Sequence, residues 1–263
     1  MKELKSLKEK VYHTMMSPIK QNQKVSMFFD NFVFQVIKDH ASWKLSDKKT
    51  TDVLKEIDHL HQCANKNRFT PWEDRVLEED INILTTIIPF EMTQGTHTPI
   101  KWKGHDVFKS CHDIMLYLQL LSEIKPKTII EFGTGSGGSA LLLADIYRDC
   151  IIKTYDILDC KFNNKNIEFE KIDLAESFPD LKNLVGPIVV IEDAHVNVTN
   201  VLLKTDQILS SGDYLIIEDS LSKHESIAMF LLHAKNKYVV DTYYTDFFGR
   251  NSTSAKNSIL KVV

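Results

Sequence analysis

The chain has 263 residues, 43% of them hydrophobic and 26% charged, with a formal net charge of −4. Such a chain buries a core without disulfides, and its charge gives no electrostatic case for a nucleic-acid partner. Cys63, Cys111, Cys150 and Cys160 form no CxxC pair and share no zinc-finger spacing with histidine, so they read as free thiols of a reducing compartment. The N-terminus, MKELKSLKEKVYHTMM, carries charges where a leader needs an apolar stretch. No apolar run approaches the ~20 residues of a membrane span. The cytoplasm is the expected location, with a small molecule as the expected partner.

Residues 1–108 read as a mostly helical region and 109–263 as an α/β domain. In the first, VSMFFDNFVFQVI (25–37) is apolar enough for a buried helix, and TDVLKEIDHLHQCANK (51–66) spaces its apolar residues at helical intervals. TPWEDRVLEEDINILTTII opens with Thr70, then Pro71 at a first-helical position, then acids. KWKGHDVFKS (101–110) reads as a short hairpin or an ordered loop, and SCHDIMLYLQLLSEI (110–124) as an amphipathic helix ending before Pro126. The apolar N-terminal helices offer a surface for a homodimer.

From Thr128 the pattern becomes alternating strands and helices. Strands are expected in TIIEF, IIKTYDI, IEFEKID, PIVVIEDAH, DYLIIEDS, KYVVDTYY and NSILKVV, with helices in SGGSALLLADIY, VTNVLLKTDQIL and HESIAMFLLHA. This alternation predicts a mostly parallel, Rossmann-like sheet of seven strands with helices on both faces. The last two strands follow one another without a helix, which places an antiparallel strand at the C-terminal end.

The stretch IIEFGTGSGGSALLLADI (129–146) crowds four glycines into six residues between a strand and a helix. No lysine follows Gly138, so it is not a P-loop. Gly133, Gly135 and Gly138 satisfy the dinucleotide pattern GxGxxG formally. Glu131, two residues before Gly133, argues against a pyrophosphate, which it would repel, and for a cationic amino group or a ribose. Asp156 ends the next strand, where an acid binds ribose hydroxyls, and Asp173 ends the third, where it can accept from an adenine amino group. Asp193 and the pair Glu218–Asp219 stand at the ends of the fourth and fifth strands, the edge where open α/β sheets bind ligands. Converging carboxylates need a cation between them. A hard divalent ion such as Mg²⁺ is one solution.

EFGTGSGG (131–138) resembles the first motif of class I S-adenosylmethionine-dependent methyltransferases. KWKG (101–104), residues 109–141, PIVVIEDAHVNVTNVLL (187–203) and LSSGDYLIIEDS (209–220) are similar to the cephalosporin hydroxylase/rhamnosyl O-methyltransferase family. The resemblance runs from about residue 98 to the C-terminus. It implies bound S-adenosylmethionine (SAM) and, as in several members, Mg²⁺ held by Asp193, Glu218 and Asp219. It also implies that Gly133, Gly135 and Gly137 admit the methionine moiety, that Glu131 addresses its amino end, and that Asp156, Asp173 and Asp193 complete the cofactor site. The chain departs from the family's DxDSNHxH-like stretch with EDAHVNV (192–198). No HxD with a distant histidine supports an iron oxygenase.

The expected reaction is transfer of a methyl group to a hydroxyl of a sugar or other natural-product intermediate, with His195 first and His224 second as the base. Residues 1–108 would form the lid and the acceptor pocket, lined by aromatics such as Trp72, Trp102 and Phe108. Lys109 and His112 would form part of a lid, and the polar segment FFGRNSTSAKNS (247–258) a second mobile loop near the site. Three alternatives stay open: N-methyl transfer or intramolecular cyclisation without metal, a partner subunit without turnover, and an NAD-dependent dehydrogenase.

Overall fold

A computed structural model describes residues 68–75, 93–95, 97–182, 184–248 and 251–263. The helices expected at 25–37 and 51–66, and the homodimer surface they offer, lie outside the described residues.

Eight strands form one sheet. They are β1 (Phe69–Thr70), β4 (Thr128–Phe132), β5 (Ile151–Asp156), β6 (Ile167–Lys171), β7 (Ile188–Glu192), β8 (Tyr214–Ile217), β9 (Tyr238–Asp241) and β10 (Ile259–Val262). A separate hairpin supplies β2 (Ile100–Trp102) and β3 (His105–Val107). The helices are α1 (Cys111–Ile124), α2 (Gly138–Ile146), α3 (Val198–Asp206), α4 (His224–His233) and the single turn α5 (Thr242–Thr245). The sheet order is β1-β9-β10-β8-β7-β4-β5-β6. The run from β8 through β7, β4 and β5 to β6 is parallel, and β10 is wedged antiparallel between β8 and β9.

All seven expected strands are present, and an eighth, β1, pairs antiparallel with β9 at the edge. At the Thr70–Pro71 pair the described residues show no α-helix, and the rest of that stretch, 76–88, lies outside the described residues. Thr70 ends a strand, and Trp72–Asp74 make one 3-10 turn after Pro71. The last two strands are also not joined directly. Asp241 accepts a hydrogen bond from the Tyr243 backbone and caps α5, which reverses the chain between them.

Strand alternation explains the two-sided core. Ile130 and Phe132 of β4, Val190 of β7 and Leu215 and Ile217 of β8 pack with Val201 and Leu202 of α3 and with Ile227 and Phe230 of α4. Their neighbours Ile129, Val189, Ile191, Tyr214 and Ile216 pack on the other face with Leu120 and Leu121 of α1 and Ala140 and Leu143 of α2. Helix α1 starts where Ser110 Oγ accepts from the Asp113 backbone and donates to its carboxylate, a reciprocal cap. It ends where Lys125 turns left-handed ahead of Pro126.

The β2–β3 hairpin lies on the glycine loop and α2. Ser136 Oγ donates to the Asp106 carbonyl, and Trp102 Nε1 donates to Asp145. A side chain at Gly138 would collide with the Asp106 carbonyl. Residues on both sides of the expected 108/109 boundary thus pack as one body. Of the segment expected to be a loop near the site, 247–258, the described residues 251–258 are packed inward. Asn251, Ser252, Thr253, Asn257 and Ser258 are buried, Thr253 Oγ1 donates to Asp113 at 2.5 Å, and Ser258 Oγ donates to the Ile217 carbonyl.

Candidate active site

A cavity of about 490 Å³ opens at the C-terminal ends of β4, β5 and β7, where the chain order reverses between β5 and β7 around β4. Open α/β sheets bind ligands at such a switch point. Its volume suits a nucleoside-sized molecule. Gly133, Thr134 and Gly135 form one wall, Tyr155 and Asp156 a second, Ile172 to Leu174 a third, and Asp193 to Val196 with Asp219 a fourth. Phe108, 55% exposed, stands over Gly135, its carbonyl held by Gln94 Nε2.

The glycine loop follows from close packing. Gly133 sits at φ +98°, where a Cβ would come within 2.5 Å of the Asp193 carbonyl, so the tight exit from β4 requires glycine. Gly135 also lines the cavity, but Gly137 does not: it is buried against Phe162 and Cys160. Glu131 likewise lies beneath the loop rather than in the cavity. It is fully buried, accepting hydrogen bonds from Ser139 and from Thr154 at 2.7 Å. Burial pushes its carboxyl up, against the pull of Lys109 and the two hydroxyls. It therefore rigidifies the β4–α2 turn, and no free oxygen faces a ligand.

Asp156 and Asp173 both line the cavity. Asp156 accepts from the Gly135 backbone and from the Leu158 backbone, each at 2.8 Å. Asp173 lies two residues past the end of β6 and accepts from the Ala175 backbone at 2.8 Å.

The strand-end acids divide into two groups. Glu218 is buried and accepts from Lys109 Nζ at 2.5 Å and from the Tyr117 hydroxyl. Lys109 also reaches Asp193 Oδ2 at 3.3 Å. The other oxygen, Asp193 Oδ1, lies 3.2 Å from His195 Nε2, which is 3.4 Å from Asp219 Oδ2. His195 and Asp219 are both exposed at the rim and both left-handed, at φ +57° and +49°, a costly backbone state for residues with a Cβ. The His195 turn is held from below, where the buried Glu192 carboxylate accepts from the Ala194 and His195 backbones and pairs with Lys223 at 2.8 Å.

Charges follow from these contacts. Burial opposes the charge on Lys109, but Glu218, Asp193 and Glu131 outweigh it and hold the ammonium protonated. Burial opposes the charge on Asp193 as well, but Lys109, His195 and Lys223 hold its carboxyl below the usual range. Burial pushes the Glu218 carboxyl up. Lys109 pulls it the other way, while the nearby Asp193 and Asp113 add to the rise. The hydrogen bond to Asp193 raises His195 above the ordinary imidazole range, with burial pulling the other way.

The expected metal trio is therefore not the trio brought together. Asp193, His195 and Asp219 offer ligand atoms all within 4.8 Å of one another. This donor set fits a divalent ion, whereas Glu218 is already taken by Lys109 and Tyr117. His224, the second expected base, stacks on Trp72 at 5.0 Å, and neither lines the cavity. His112 packs against Phe248, and Trp102 against Asp145. Of the aromatics expected in the pocket, Phe108 lines the cavity.

A parallel sheet with a glycine turn after its first parallel strand, acids at the strand ends and an antiparallel wedge strand is the Rossmann-like methyltransferase fold. A family model described as Rhamnosyl O-methyltransferase/CmcI matches residues 94–236, more than half of the chain, and the chain belongs to that family. Rhamnosyl O-methyltransferase from Mycobacterium tuberculosis is 33% identical over 141 residues, covering 47% of this chain and 58% of the relative. The Mycobacterium leprae protein of the same name is 30% identical over 148 residues, covering 49% and 64%. The matches thus span about six-tenths of these relatives' length. A solved Mg-SAM form of CmcI superposes with a TM-score of 0.56 at 24% identity, over 72% of this chain and 87% of that one. An SAH form gives 0.55 at 23%, over 72% and 95%.

Proposed function

We propose that the protein is a SAM-dependent O-methyltransferase acting on a hydroxyl of a small molecule, a sugar or a natural-product intermediate. The observation that carries this reading is the charge of the cavity. Asp106, Asp156, Asp173, Asp193 and Asp219 line it, while Lys109, the one lysine lining it among the described residues, is committed to Glu218 and Asp193. A dinucleotide pyrophosphate would meet carboxylates, whereas a ligand carrying a sulfonium and an ammonium is attracted. Asp156 at the end of β5 suits ribose hydroxyls, and Asp173 with Ile172 and Leu174 suits adenine. The relatives are named rhamnosyl O-methyltransferases, which makes rhamnosides and other deoxysugar glycosides the first acceptors to test.

Methyl transfer from a sulfonium is an in-line substitution with a good leaving group, so the protein mainly aligns and activates the hydroxyl. With His195 Nε2–H donated to Asp193, Nδ1 of the neutral imidazole is the free base. A divalent ion at Asp193, His195 and Asp219 would instead lower the hydroxyl's pKa by direct ligation. One imidazole cannot fill both roles at once, so magnesium dependence separates the two forms of this reading.

The test is to incubate the protein with SAM and a panel of rhamnosides and other glycosides, with Mg²⁺ and with EDTA, and to weigh the products. A product one CH₂ heavier, methylated on oxygen, is expected. Methylation on nitrogen or conversion of SAM alone would replace this reading with the alternative sulfonium chemistry.

A further inference from the structure

The ionisable groups of the site form a chain in which acids alternate with nitrogen bases, running inward from the rim: Asp219, His195, Asp193, Lys109, Glu218. Consecutive contacts are 3.4, 3.2, 3.3 and 2.5 Å. Lys109 is its pivot. Its side chain is 4% exposed, and it lies between an acid of β7's end and an acid of β8's end. It arrives from the residue just before the Ser110 cap of α1, so its position is fixed by helix α1 and by the β2–β3 hairpin, not by the sheet. Its ammonium also lies 5.4 Å from the centre of the Tyr117 ring, and the Tyr117 hydroxyl donates to the Glu218 oxygen that Lys109 holds.

Two neighbouring strand-end carboxylates repel unless a cation lies between them. A divalent ion can play that part, as can an ammonium. We propose that Lys109 is the resident cation of this site: it withholds Glu218 from metal binding and, by holding Asp193 Oδ2, turns Asp193 Oδ1 toward His195. Lys109 is thus a positioning residue for His195, acting through Asp193. Any divalent ion is restricted to the outer donors Asp193, His195 and Asp219. This deepens the proposed function and rests on it for the identity of the reaction, though not for the ionic arrangement.

Titration with Mn²⁺, read by electron paramagnetic resonance, tests the arrangement directly. Glu218→Gln keeps the shape and still accepts from Lys109, so Mn²⁺ affinity should stay within about threefold of the unsubstituted protein. Lys109→Met frees Glu218, and Mn²⁺ should bind about tenfold tighter, a gain that Lys109→Arg does not produce and that Lys109→Met/Glu218→Gln loses. A purely structural lysine would not yield that pattern.

A drop of about tenfold or more in Glu218→Gln alone would overturn the proposal, as would no gain in a folded Lys109→Met. Should Lys109→Met fail to fold, a crystal of the unsubstituted protein soaked in MnCl₂ gives the answer. Lys109 Nζ retained between Glu218 and Asp193 supports the proposal, and an anomalous peak in its place overturns it. Failure of the methyltransferase reading would show separately, as absence of S-adenosylhomocysteine binding by the unsubstituted protein.

Discussion

Gly133 and His195 show how the site is built from single residues. Gly133 combines a left-handed backbone with a wall, the Asp193 carbonyl, that leaves no room for a methyl group. Gly133→Ala should therefore cost roughly 2 kcal/mol or more in denaturant unfolding, and the shift in Asp193 should also weaken binding of S-adenosylhomocysteine. His195 and His224 are separated by their surroundings, His195 between Asp193 and Asp219 and His224 stacked on Trp72. His195→Asn should lower turnover by about a hundredfold or more while cofactor affinity changes little. His224→Asn, which removes the stacking contact on Trp72 away from the cavity, should leave turnover nearly intact. Equal losses in the two variants would remove His195 from its role.

At the scale of elements, the edge strand β1 is tied to the body by charge. Arg68 pairs bidentately with the buried Asp241 of β9 and reaches Glu123 of α1 at 2.7 Å. Burial disfavours the Glu123 charge, but the Tyr244 hydroxyl and Arg68 outweigh it, and its carboxyl lies below the usual range. A depressed carboxylate adds stability above its unfolded pKa, about 4.3, and that stability is lost as the pH falls through the folded value. Glu123→Gln should lower the melting temperature at pH 7, by an amount equivalent to under about 1 kcal/mol because the pair is partly exposed. The gap should close in acid, and a gap that grew there would contradict the assignment. Arg75 is a second tie, clamping Asp246 through two nitrogens at 2.9 and 2.7 Å and reaching Asn257 at 2.7 Å. These ties explain why the polar segment 251–258 is buried. Thr253 pairs with Asp113, Asn257 Oδ1 accepts from Arg75 and Ser258 donates to the Ile217 carbonyl, while Ser254 Oγ and Asn257 Nδ2 find no partner among the described residues; with partners so distant in sequence, polarity alone could only suggest a loop.

At the scale of the molecule, what was legible in the sequence is what local periodicity dictates. TIIEF, IIKTYDI and PIVVIEDAH are short, apolar and bounded by turn residues, and each became a strand with its expected acid at or just past its end. The loop glycines were legible because their crowding between a strand and a helix marks a tight turn that a residue with a Cβ enters only at a cost. The sheet order, with β10 wedged between β8 and β9, was not, since antiparallel insertion depends on contacts distant in sequence. Lys109 was read as part of a lid for the same reason: its partner Glu218 lies 109 residues onward. The signal was nevertheless present, since two acids at adjacent strand ends demand a cation and a lysine stands just before the helix that packs beside them. For Glu131, its place in an apolar strand concealed that Ser139 and Thr154 would each donate to one of its oxygens. Core packing sets the scale of overall stability, and Phe230→Ala, which empties the fully buried contact of α4 on the sheet, should cost about 3–5 kcal/mol.

The central claim is that the glycine-walled, carboxylate-lined cavity holds a sulfonium cofactor and not a dinucleotide. Calorimetric titration of the purified protein with S-adenosylhomocysteine, with NAD as the control and Asp156→Ala as the companion variant, tests it most directly. Micromolar binding of S-adenosylhomocysteine, no binding of NAD and a loss of about tenfold or more in Asp156→Ala are the expected results. NAD binding in its place, or no binding of S-adenosylhomocysteine by a folded protein, would contradict the account.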